Sequence, residues 1–326
     1  MYILKKGLVI LCMISSFFCS AQNATTPEVY SFKQEVFRPI SYYTGQANIS
    51  IPVTEIKTNE ITIPITLNYT GGGGLRTINP YSNVGMGWRL SAGGAITRTK
   101  NGECDETISN GYPALSGFFS LAANTLTNSY VRNNVSSYVG ILPNEAGQYF
   151  IPTTEYSPDI FSFSFLGYSG FFVRGFDGEF KIQSQDIVLV EKLDAPWSWP
   201  GRGNCVGFRL TANDGTKFTF GSTEGSIELS GGNGGIPFQC DAWYLTEIES
   251  TNGRVVHFRY HSNTSTVNFC FYTTSSSSPS SATSPVVLDY ISFNGGKVVV
   301  NSSAFTHNLG NTPSTPRLIT KVELLV

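Results

Sequence analysis

Two histidines are the residues whose spacing first suggests chemistry. His257 and His261 stand four residues apart, and on one face of a helix that spacing can hold a zinc ion. The segment 255–261, however, alternates apolar and polar residues as a strand does. Four residues of strand separate two side chains by roughly 13 Å, which is too far for one metal ion. We therefore expect both imidazoles on the polar face of a strand, at the surface.

Acidic side chains surround a cysteine between positions 103 and 106. Glu103, Asp105 and Glu106 flank Cys104, and such carboxylates either bind calcium or act in pairs in glycosidases. A calcium loop has a longer alternation of oxygen ligands with a glycine at its turn. A glycosidase needs two carboxylates that face each other across a cleft, which local spacing does not show. We expect a solvated turn here.

Four cysteines follow the N-terminal leader, and their spacings are too wide for the Cys-x-x-Cys pairs of a zinc site. An even number of cysteines in an oxidising compartment predicts up to two disulfides, with three possible connectivities. The four are Cys104, Cys205, Cys240 and Cys270. Cys205 and Cys240 flank one predicted sheet region, and they are the pair that the pattern favours.

Motifs for cofactors and nucleophiles are incomplete. Gly85 and Gly87 resemble the start of a dinucleotide fingerprint, but Leu90 stands where its third glycine belongs. The run 71–74 lacks the Gly-Lys-Ser/Thr of a phosphate loop, and no Gly-x-Ser-x-Gly occurs. A secreted hydrolase would need a nucleophile–base pair or converging carboxylates. We expect no enzyme activity, no cofactor and no metal.

Composition and the N-terminus indicate an exported protein without a polyionic partner. Lys5 and Lys6 precede an apolar stretch and the small residues 19–21, which is the pattern of a cleaved signal peptide. The apolar stretch is shorter than the about 20 residues of a transmembrane helix. Charged residues make up 13% of the chain and the net charge is −2, so no nucleic-acid partner is expected. We expect a secreted or cell-surface protein with no membrane span after cleavage.

Alternating residues predict strands through most of the chain. Apolar residues alternate with polar residues or proline over 49–54 and 61–69, and phenylalanine recurs at every second position over 161–165. Proline cannot donate to a ladder, so the first two segments should lie at an edge or direct those positions outward. Type I′ hairpin turns are predicted at Asp177-Gly178, Asp214-Gly215, Asn252-Gly253 and Asn294-Gly295. We predict an all-β fold, an antiparallel hairpin meander that forms a β-sandwich or open shell-like sheets with an irregular insertion.

Four segments follow from this pattern. Residues 1–21 are the signal peptide, and residues 22–102 form an N-terminal β-block. Residues 103–157 lose the alternation and collect Asn, Ser and Gly, so we expect the irregular insertion there. Residues 158–326 form a second β-block that can continue beyond the chain end. Within it, the Ser/Thr run 273–285 predicts a loop that does not order itself.

A glycine-rich corner with one tryptophan is the most distinctive local feature. The run 84–98 contains the six residues that define it. These are Gly85, Gly87, Trp88, Gly93, Gly94 and Arg98. Glycine permits positive φ and close backbone approach, so we expect a tightly packed β-corner that the Trp88 indole fills. On this interpretation Trp88→Ala lowers the free energy of unfolding by about 3–5 kcal/mol, as the loss of a buried aromatic does.

The same run, together with other blocks in a fixed order, resembles the N-terminal region of RHS/YD-repeat proteins. Residues 39–69 resemble the family's opening pattern tG…isIPi…l…lPisL.Y, and residues 84–98 resemble its vGlGWsL.aGG.ItR element. Later blocks that resemble family patterns are PDiFsf at 158–163, the block 214–221 and the block 243–253. The resemblance runs from residue 36 to residue 326 and omits the insertion.

This resemblance implies a secreted, non-catalytic β-structure. Similar N-terminal modules precede arrays of Tyr-Asp repeats, which coil into a hollow shell that can enclose a toxic segment, as in RHS polymorphic toxins and the B component of toxin complexes. The present sequence has no Tyr-Asp repeat and stops at 324–326 within a predicted strand. An unpaired edge strand exposes backbone hydrogen-bonding groups. We therefore expect its sheet edges to bind a further RHS/YD-repeat chain or a separate protein, in toxin encapsulation, interbacterial competition or surface display.

An extracellular carbohydrate-binding or adhesive module is the alternative. Aromatic rings can stack on sugars if they are exposed, whereas a structural module buries them in its core. The rings that could do so are those of Tyr168, Trp197, Trp199 and Tyr272. Their exposure separates the two interpretations, and a glycan is accordingly the second candidate partner.

Overall fold

Antiparallel strands make up the part of the chain that the structure, a computed structural model, describes. That part comprises residues 47–70, 83–85, 87–101, 105, 158–175, 177–199, 203–231, 239–261, 267–269, 281–284, 286–304, 307–309, 312–314 and 317–325. Every strand pair within it is antiparallel. The all-β expectation is therefore confirmed.

Strands are numbered in chain order, with one short 3-10 helix (Glu224–Ser226) between β10 and β11. They are β1 (Asn48–Lys57), β2 (Thr62–Thr70), β3 (Trp88–Ala92), β4 (Gly94–Thr99), β5 (Ile160–Phe165), β6 (Tyr168–Arg174), β7 (Phe180–Ser184), β8 (Val188–Trp199), β9 (Gly203–Ala212), β10 (Lys217–Gly221), β11 (Ile227–Gly231), β12 (Gln239–Glu249), β13 (Val255–Tyr260), β14 (Val267–Phe269), β15 (Ser281–Ser284), β16 (Leu288–Phe293), β17 (Gly296–Ala304), β18 (His307–Leu309), β19 (Thr312–Ser314) and β20 (Arg317–Leu325).

A fifteen-stranded sheet holds most of the described strands. Its main path runs β20-β17-β16-β13-β12-β4-β5-β6-β7, and two branches leave it at β12, one through β10 to β9 and β8 and the other through β11 to β15 and β14. Strand β12 is the centre of this arrangement because it pairs with β4, β10, β11 and β13. The main path ends at β20 on one side and at β7 on the other. A separate two-stranded ribbon consists of β18 and β19.

A three-stranded sheet in the order β1-β2-β3 contains the first two predicted strands. Strand β1 lies at its edge, and the register shifts between Pro52 and Thr54. Strand β2 is central, but β3 pairs only with its stretch 65–69. Pro64 therefore lies beyond the end of β3 and pairs only with Glu55 of β1 among the described residues. The edge prediction is confirmed for β1, whereas β2 is the central strand of this sheet.

Glycine forms the predicted hairpin turns, but the turn type differs from the prediction. Gly178, Gly215 and Gly253 have φ of +87°, +88° and +73°, and the aspartate or asparagine before each has no positive φ. In each hairpin the residue three positions before the glycine accepts a hydrogen bond from the glycine N–H. Its own N–H donates to the carbonyl of the residue that follows the glycine. That pattern is a type I turn closed by a left-handed glycine, so the type I′ prediction is wrong there. A turn with positive φ at both positions occurs instead at Leu166 and Gly167, between β5 and β6.

One apolar core spans both sheets, and aromatic rings fill its centre. The Phe161 ring stacks on Phe172 with centroids 5.2 Å apart, and it contacts Phe208 and Trp243 at 5.1 and 5.7 Å. Trp243 is fully buried. Three isoleucines of the small sheet belong to the same cluster. These are Ile56, Ile63 and Ile65. The alternation seen in the sequence thus supplies one shared core rather than two separate ones.

Three further expectations from the sequence have different outcomes in the structure: one is wrong in part, one boundary differs, and the last concerns residues outside the description. The predicted loop 273–285 contains the short strand β15, which pairs with β11 and β14, so that prediction is wrong in part. Strand β4 pairs with β5 and β12, so the chain enters the large sheet at Gly94, before the predicted block boundary. The signal peptide 1–21 and nearly all of the insertion 103–157 lie outside the described residues.

Candidate functional site: the glycine corner and the charges around it

The corner is the point where the chain passes from the small sheet to the large one. Strand β3 ends at Ala92 and β4 begins at Gly94, with only Gly93 between them. Gly93 has a φ of +85°, and a Cβ there would lie 3.0 Å from side-chain atoms of both Leu245 and Phe258. Strands that change sheets turn at such bends. The turn is therefore built on a backbone conformation that favours glycine.

Gly94 is restricted by backbone as well as by conformation. Its φ is +140°, and a Cβ would lie 2.5 Å from the Cβ and 2.7 Å from the Cα of Phe165, and closer still to the carbonyl oxygen of Ser164. Gly94 pairs directly with Phe165 across β4 and β5. Because the neighbouring atoms are mostly backbone, they cannot rotate away. A side chain at this position would force the two strands apart.

The Trp88 indole fills only the first half of the corner. Its ring centroid lies 5.2 Å from that of Tyr69, and the residue is half-buried. Gly87, with φ of +77°, brings its backbone against the same tyrosine, where a Cβ would lie 2.6 Å from the ring. A Cβ on Gly85 would meet nothing within 4 Å. The second half, at Gly93 and Gly94, is closed by core residues, so the single tryptophan plug predicted from the sequence needs correction.

We expect Trp88→Ala to lower the free energy of unfolding by about 2 kcal/mol, below the range for a fully buried aromatic. The reason is that the ring is half-exposed already and leaves a site open to water rather than a closed cavity. Chemical denaturation followed by tryptophan fluorescence and circular dichroism measures the change. A loss as large as the fully buried range would restore the role of a central plug.

Arg98 forms a buried ion pair with Asp159. The guanidinium Nη1 lies 3.6 Å from Oδ2, and the two side chains are 1% and 0% exposed. The guanidinium also lies over the ring of Trp243, 5.4 Å from its centroid, which is a favourable cation–π position. Arg98 belongs to β4, whereas Asp159 directly precedes β5. The pair therefore joins the end of one strand to the start of its neighbour inside the core.

Asp159 and Asp105 hold each other through their backbones. The Asp105 N–H donates to Asp159 Oδ2 at 3.2 Å, and the Asp159 N–H donates to Asp105 Oδ1 at 3.1 Å. Asn101 N–H donates to Asp159 Oδ1 at 2.7 Å. Both aspartates are fully buried, so the solvated turn predicted around Asp105 is wrong for that residue. Glu103, Cys104 and Glu106 lie outside the described residues.

Burial dominates the electrostatics of this cluster. It raises the pKa of Asp159 above its usual range, although the backbone N–H groups and Arg98 favour the ionised carboxylate. Burial likewise lowers the pKa of Arg174, and the nearby Asp105 opposes that shift. The site thus contains two arginines and two aspartates close to charge balance. A group of this kind holds segments in register, and the side chains of Arg98, Asp105 and Asp159 are buried.

Hydrogen bonds of two further residues tie the small sheet to the large one. Asn83, just before the corner, donates from Nδ2 to the Val286 carbonyl at 3.0 Å, and its own carbonyl accepts from the Ile319 N–H at 2.6 Å. Glu60, in the β1–β2 loop, accepts from Asn252 Nδ2 at 2.7 Å. Hydrogen bonds from Ser250 and Asn252 lower the pKa of Glu60. The small sheet is therefore fastened at both of its ends.

A serine, a histidine and an aspartate meet where sequence reasoning had not linked them. His261 Nε2 lies 3.2 Å from Ser302 Oγ and 3.5 Å from Asp289 Oδ1. A catalytic triad holds the carboxylate on Nδ1, away from the hydroxyl, and this cluster does not. Arg317 Nε donates to Ser302 Oγ at 3.0 Å, and burial lowers the pKa of His261. The contacts tie β20 to β17.

The other predicted site residues are dispersed. His257 lies on β13, half-exposed, with Nδ1 3.3 Å from Glu247 Oε2. Cys240 is buried on β12, whereas the side chains of the other three cysteines lie outside the description, so the disulfide stays a prediction. Tyr168 packs against Phe165 at 5.2 Å, and burial raises its pKa, so it is not an exposed platform. The side chains of Trp197, Trp199 and Tyr272 are not described.

Metal-binding and membrane-spanning groups can be assessed for the described residues alone. Within those residues no group of three or more His, Cys, Asp or Glu side chains is placed to hold a metal ion. No helix among them is long and apolar enough to cross a membrane.

The sequence analysis did not single out Asp159 as a site residue. The signal for it was its place at the start of the PDiFsf block, directly after Pro158.

The fold and the corner define an all-β protein of antiparallel sheets joined at a glycine bend. No protein-family model matches the sequence, and no curated protein is significantly similar to it. Structural neighbours include TcdB2-TccC3 (12% identity, TM-score 0.41, covering 86% of this chain and 13% of that one). Another is the N-terminal domain of the effector protein SpvB from Salmonella typhimurium strain LT2 (11% identity, TM-score 0.37, covering 85% and 86%). The chain spans a small part of the TcdB2-TccC3 chain, and at these scores the likeness carries no argument about activity.

Proposed function

We propose that this chain is a non-catalytic, exported structural and interaction module, the N-terminal part of an RHS/YD-repeat-type protein. The observation that carries the proposal is the buried pair of Arg98 and Asp159. Arg98 ends the ItR element and Asp159 opens the PDiF block, so two separate blocks of the resemblance meet in one contact. The two blocks therefore support the same part of the core.

Physical chemistry supports a role in architecture for these blocks. Gly93 and Gly94 turn the chain between sheets, and Arg98 and Asp159 hold β4 and β5 in place. A catalytic group must reach a substrate, whereas both members of the ion pair are fully buried. Residues that only support packing are expected in a scaffold. The chemistry of a longer protein would then reside in other segments.

The same proposal assigns partners and location. We expect the module to be secreted or displayed at the cell surface, where its sheet edges bind a further repeat-bearing chain or a separate protein. An edge strand carries unpaired backbone groups that readily accept another strand. In a repeat-bearing protein this would make the module the entry to a shell that encloses a toxin, in competition between bacteria or in surface display.

The natively exported protein tests the proposal. We expect its intact mass to exceed that of the mature module, with Tyr-Asp repeats in the additional sequence. Limited proteolysis should leave module and repeats as one resistant body. As a control, Gly94→Ala should make the module protease-sensitive while Gly85→Ala leaves it resistant. A product of the module's own length that hydrolyses a substrate or binds a glycan by itself would contradict the proposal.

A further inference from the structure

The second half of strand β20 has a backbone edge to which no other strand of the described residues is paired. Among the described strands it pairs with β17 alone, and it lies at the end of the main path of the large sheet. The Asn83 carbonyl accepts a hydrogen bond from the Ile319 N–H, which occupies that edge at Ile319. The stretch 320–325 remains, and it ends in Leu324 and Leu325, which are 44% and 54% exposed. Exposed leucines on an open edge favour pairing with another strand.

The charged residues in this stretch are arranged so that it can pair with the same stretch of a second copy of the chain. Lys321 and Glu323 stand two residues apart and therefore share one face of β20. They form an ion pair with each other, and Asn301 Nδ2 donates to Glu323 Oε2 at 2.8 Å. Both side chains are accessible, with Lys321 63% exposed. The face thus presents one cation and one anion to an incoming strand.

From this pattern we propose that β20 is the interface for a second copy of this chain, paired antiparallel about Val322. With the two-fold axis at Val322, Lys321 of each copy lies directly opposite Glu323 of the other, and Thr320 lies opposite Leu324. Directly opposite residues have Cβ atoms about 4.5–5.5 Å apart, close enough for ion pairs. The interface is isologous, as two-fold pairing requires.

Alternative registers are disfavoured by the same residues. An axis at Lys321 sets lysine against lysine, and an axis at Glu323 sets glutamate against glutamate, which is destabilising for residues directly opposite. An axis at Ile319 or Thr320 requires displacement of Asn83 from the edge. Only the axis at Val322 pairs both charges within the open stretch. The sequence of β20 therefore specifies the register as well as the partner.

Charge reversal tests the interface in the full mature chain, by sedimentation velocity over a concentration series. We expect the wild type to dimerise, and Lys321→Glu or Glu323→Lys to weaken the dimer roughly tenfold or more, because each creates two like-charge pairs. The double variant Lys321→Glu with Glu323→Lys should restore the dimer. Lys181→Glu, in the ion pair with Asp177 at the β6–β7 turn, is the matched control and should leave association unchanged.

Several outcomes would overturn this inference. A monomeric wild type would contradict the interface. A dimer that survives both single reversals, or one that the double variant fails to restore, would assign association to another surface. Thermal midpoints close to wild type would show that the variants fold. The inference does not rest on the proposed function, since the intact mass of the exported product tests that separately.

Discussion

Replacing Gly94 with alanine should lower the free energy of unfolding by about 3–5 kcal/mol, combining overpacking with a φ that L residues rarely adopt. The φ is +140°, and the new Cβ would lie 2.7 Å from the Cα of Phe165. Strands β4 and β5 would have to separate at their first pair. That separation also weakens the contacts of Phe165 with Phe218 and Phe220, whose ring centroids lie 4.8 and 5.0 Å away.

Gly85→Ala is the matched control for this substitution. Gly85 has a φ of +113°, but a Cβ there meets nothing within 4 Å. Its replacement therefore measures the conformational cost alone, about 1–2 kcal/mol. Urea denaturation of both variants, with circular dichroism as the readout, gives the difference. Equal losses at the two glycines would show that backbone crowding at Gly94 contributes nothing.

Arg98→Met should lower the free energy of unfolding by about 3–5 kcal/mol near neutral pH, the usual cost of leaving one member of a buried ion pair alone. Methionine retains part of the packing on Trp243 but removes the charge that compensates Asp159. The control is Arg209→Met, because Arg209 pairs with Glu191 at 3.9 Å on the surface, where the side chains are 41% and 52% exposed. Surface pairs of this kind contribute little.

The loss in Arg98→Met should depend on pH with a definite sign. Burial raises the pKa of Asp159 in the folded protein above its usual 3.8, so the folded state holds this proton more tightly than the unfolded state. Stability from this group falls as pH rises through the folded pKa. Removing Arg98 raises that pKa further. The difference between variant and wild type should therefore be largest at neutral pH and shrink in acid; a constant difference would contradict the ion-pair explanation.

Local pattern predicted the strands and the turn positions because both depend on neighbouring residues. The isoleucines of β1 and β2 and the phenylalanines of β5 alternate, and glycine follows aspartate or asparagine at the hairpins. The Leu166 turn escaped notice because leucine rarely adopts positive φ. Its position is fixed by the pairing of Phe165 with Tyr168, which is a tertiary constraint.

The buried charges could not be derived from local pattern. Asp105 and Asp159 are 54 residues apart in sequence, and nothing near Asp105 distinguishes a buried carboxylate from a solvated one. The sequence pattern predicts that Trp88 fills the whole corner, whereas Leu245 and Phe258 close its second half from distant strands. The glycines themselves were evident. The residues against which they pack could not be predicted from the sequence, because those residues lie on distant strands.

The ties between the two sheets also set an order of events during synthesis. Asn83 contacts Val286 across 203 residues, and Glu60 contacts Asn252 across 192. At about 5–20 residues per second, β1, β2 and β3 emerge on the order of ten seconds or more before the strands that fasten them. During that interval the core cluster that contains Ile56, Ile63 and Ile65 is incomplete. The hydrogen bonds of Asn83 and Glu60 to the large sheet therefore form only after most of the chain has emerged.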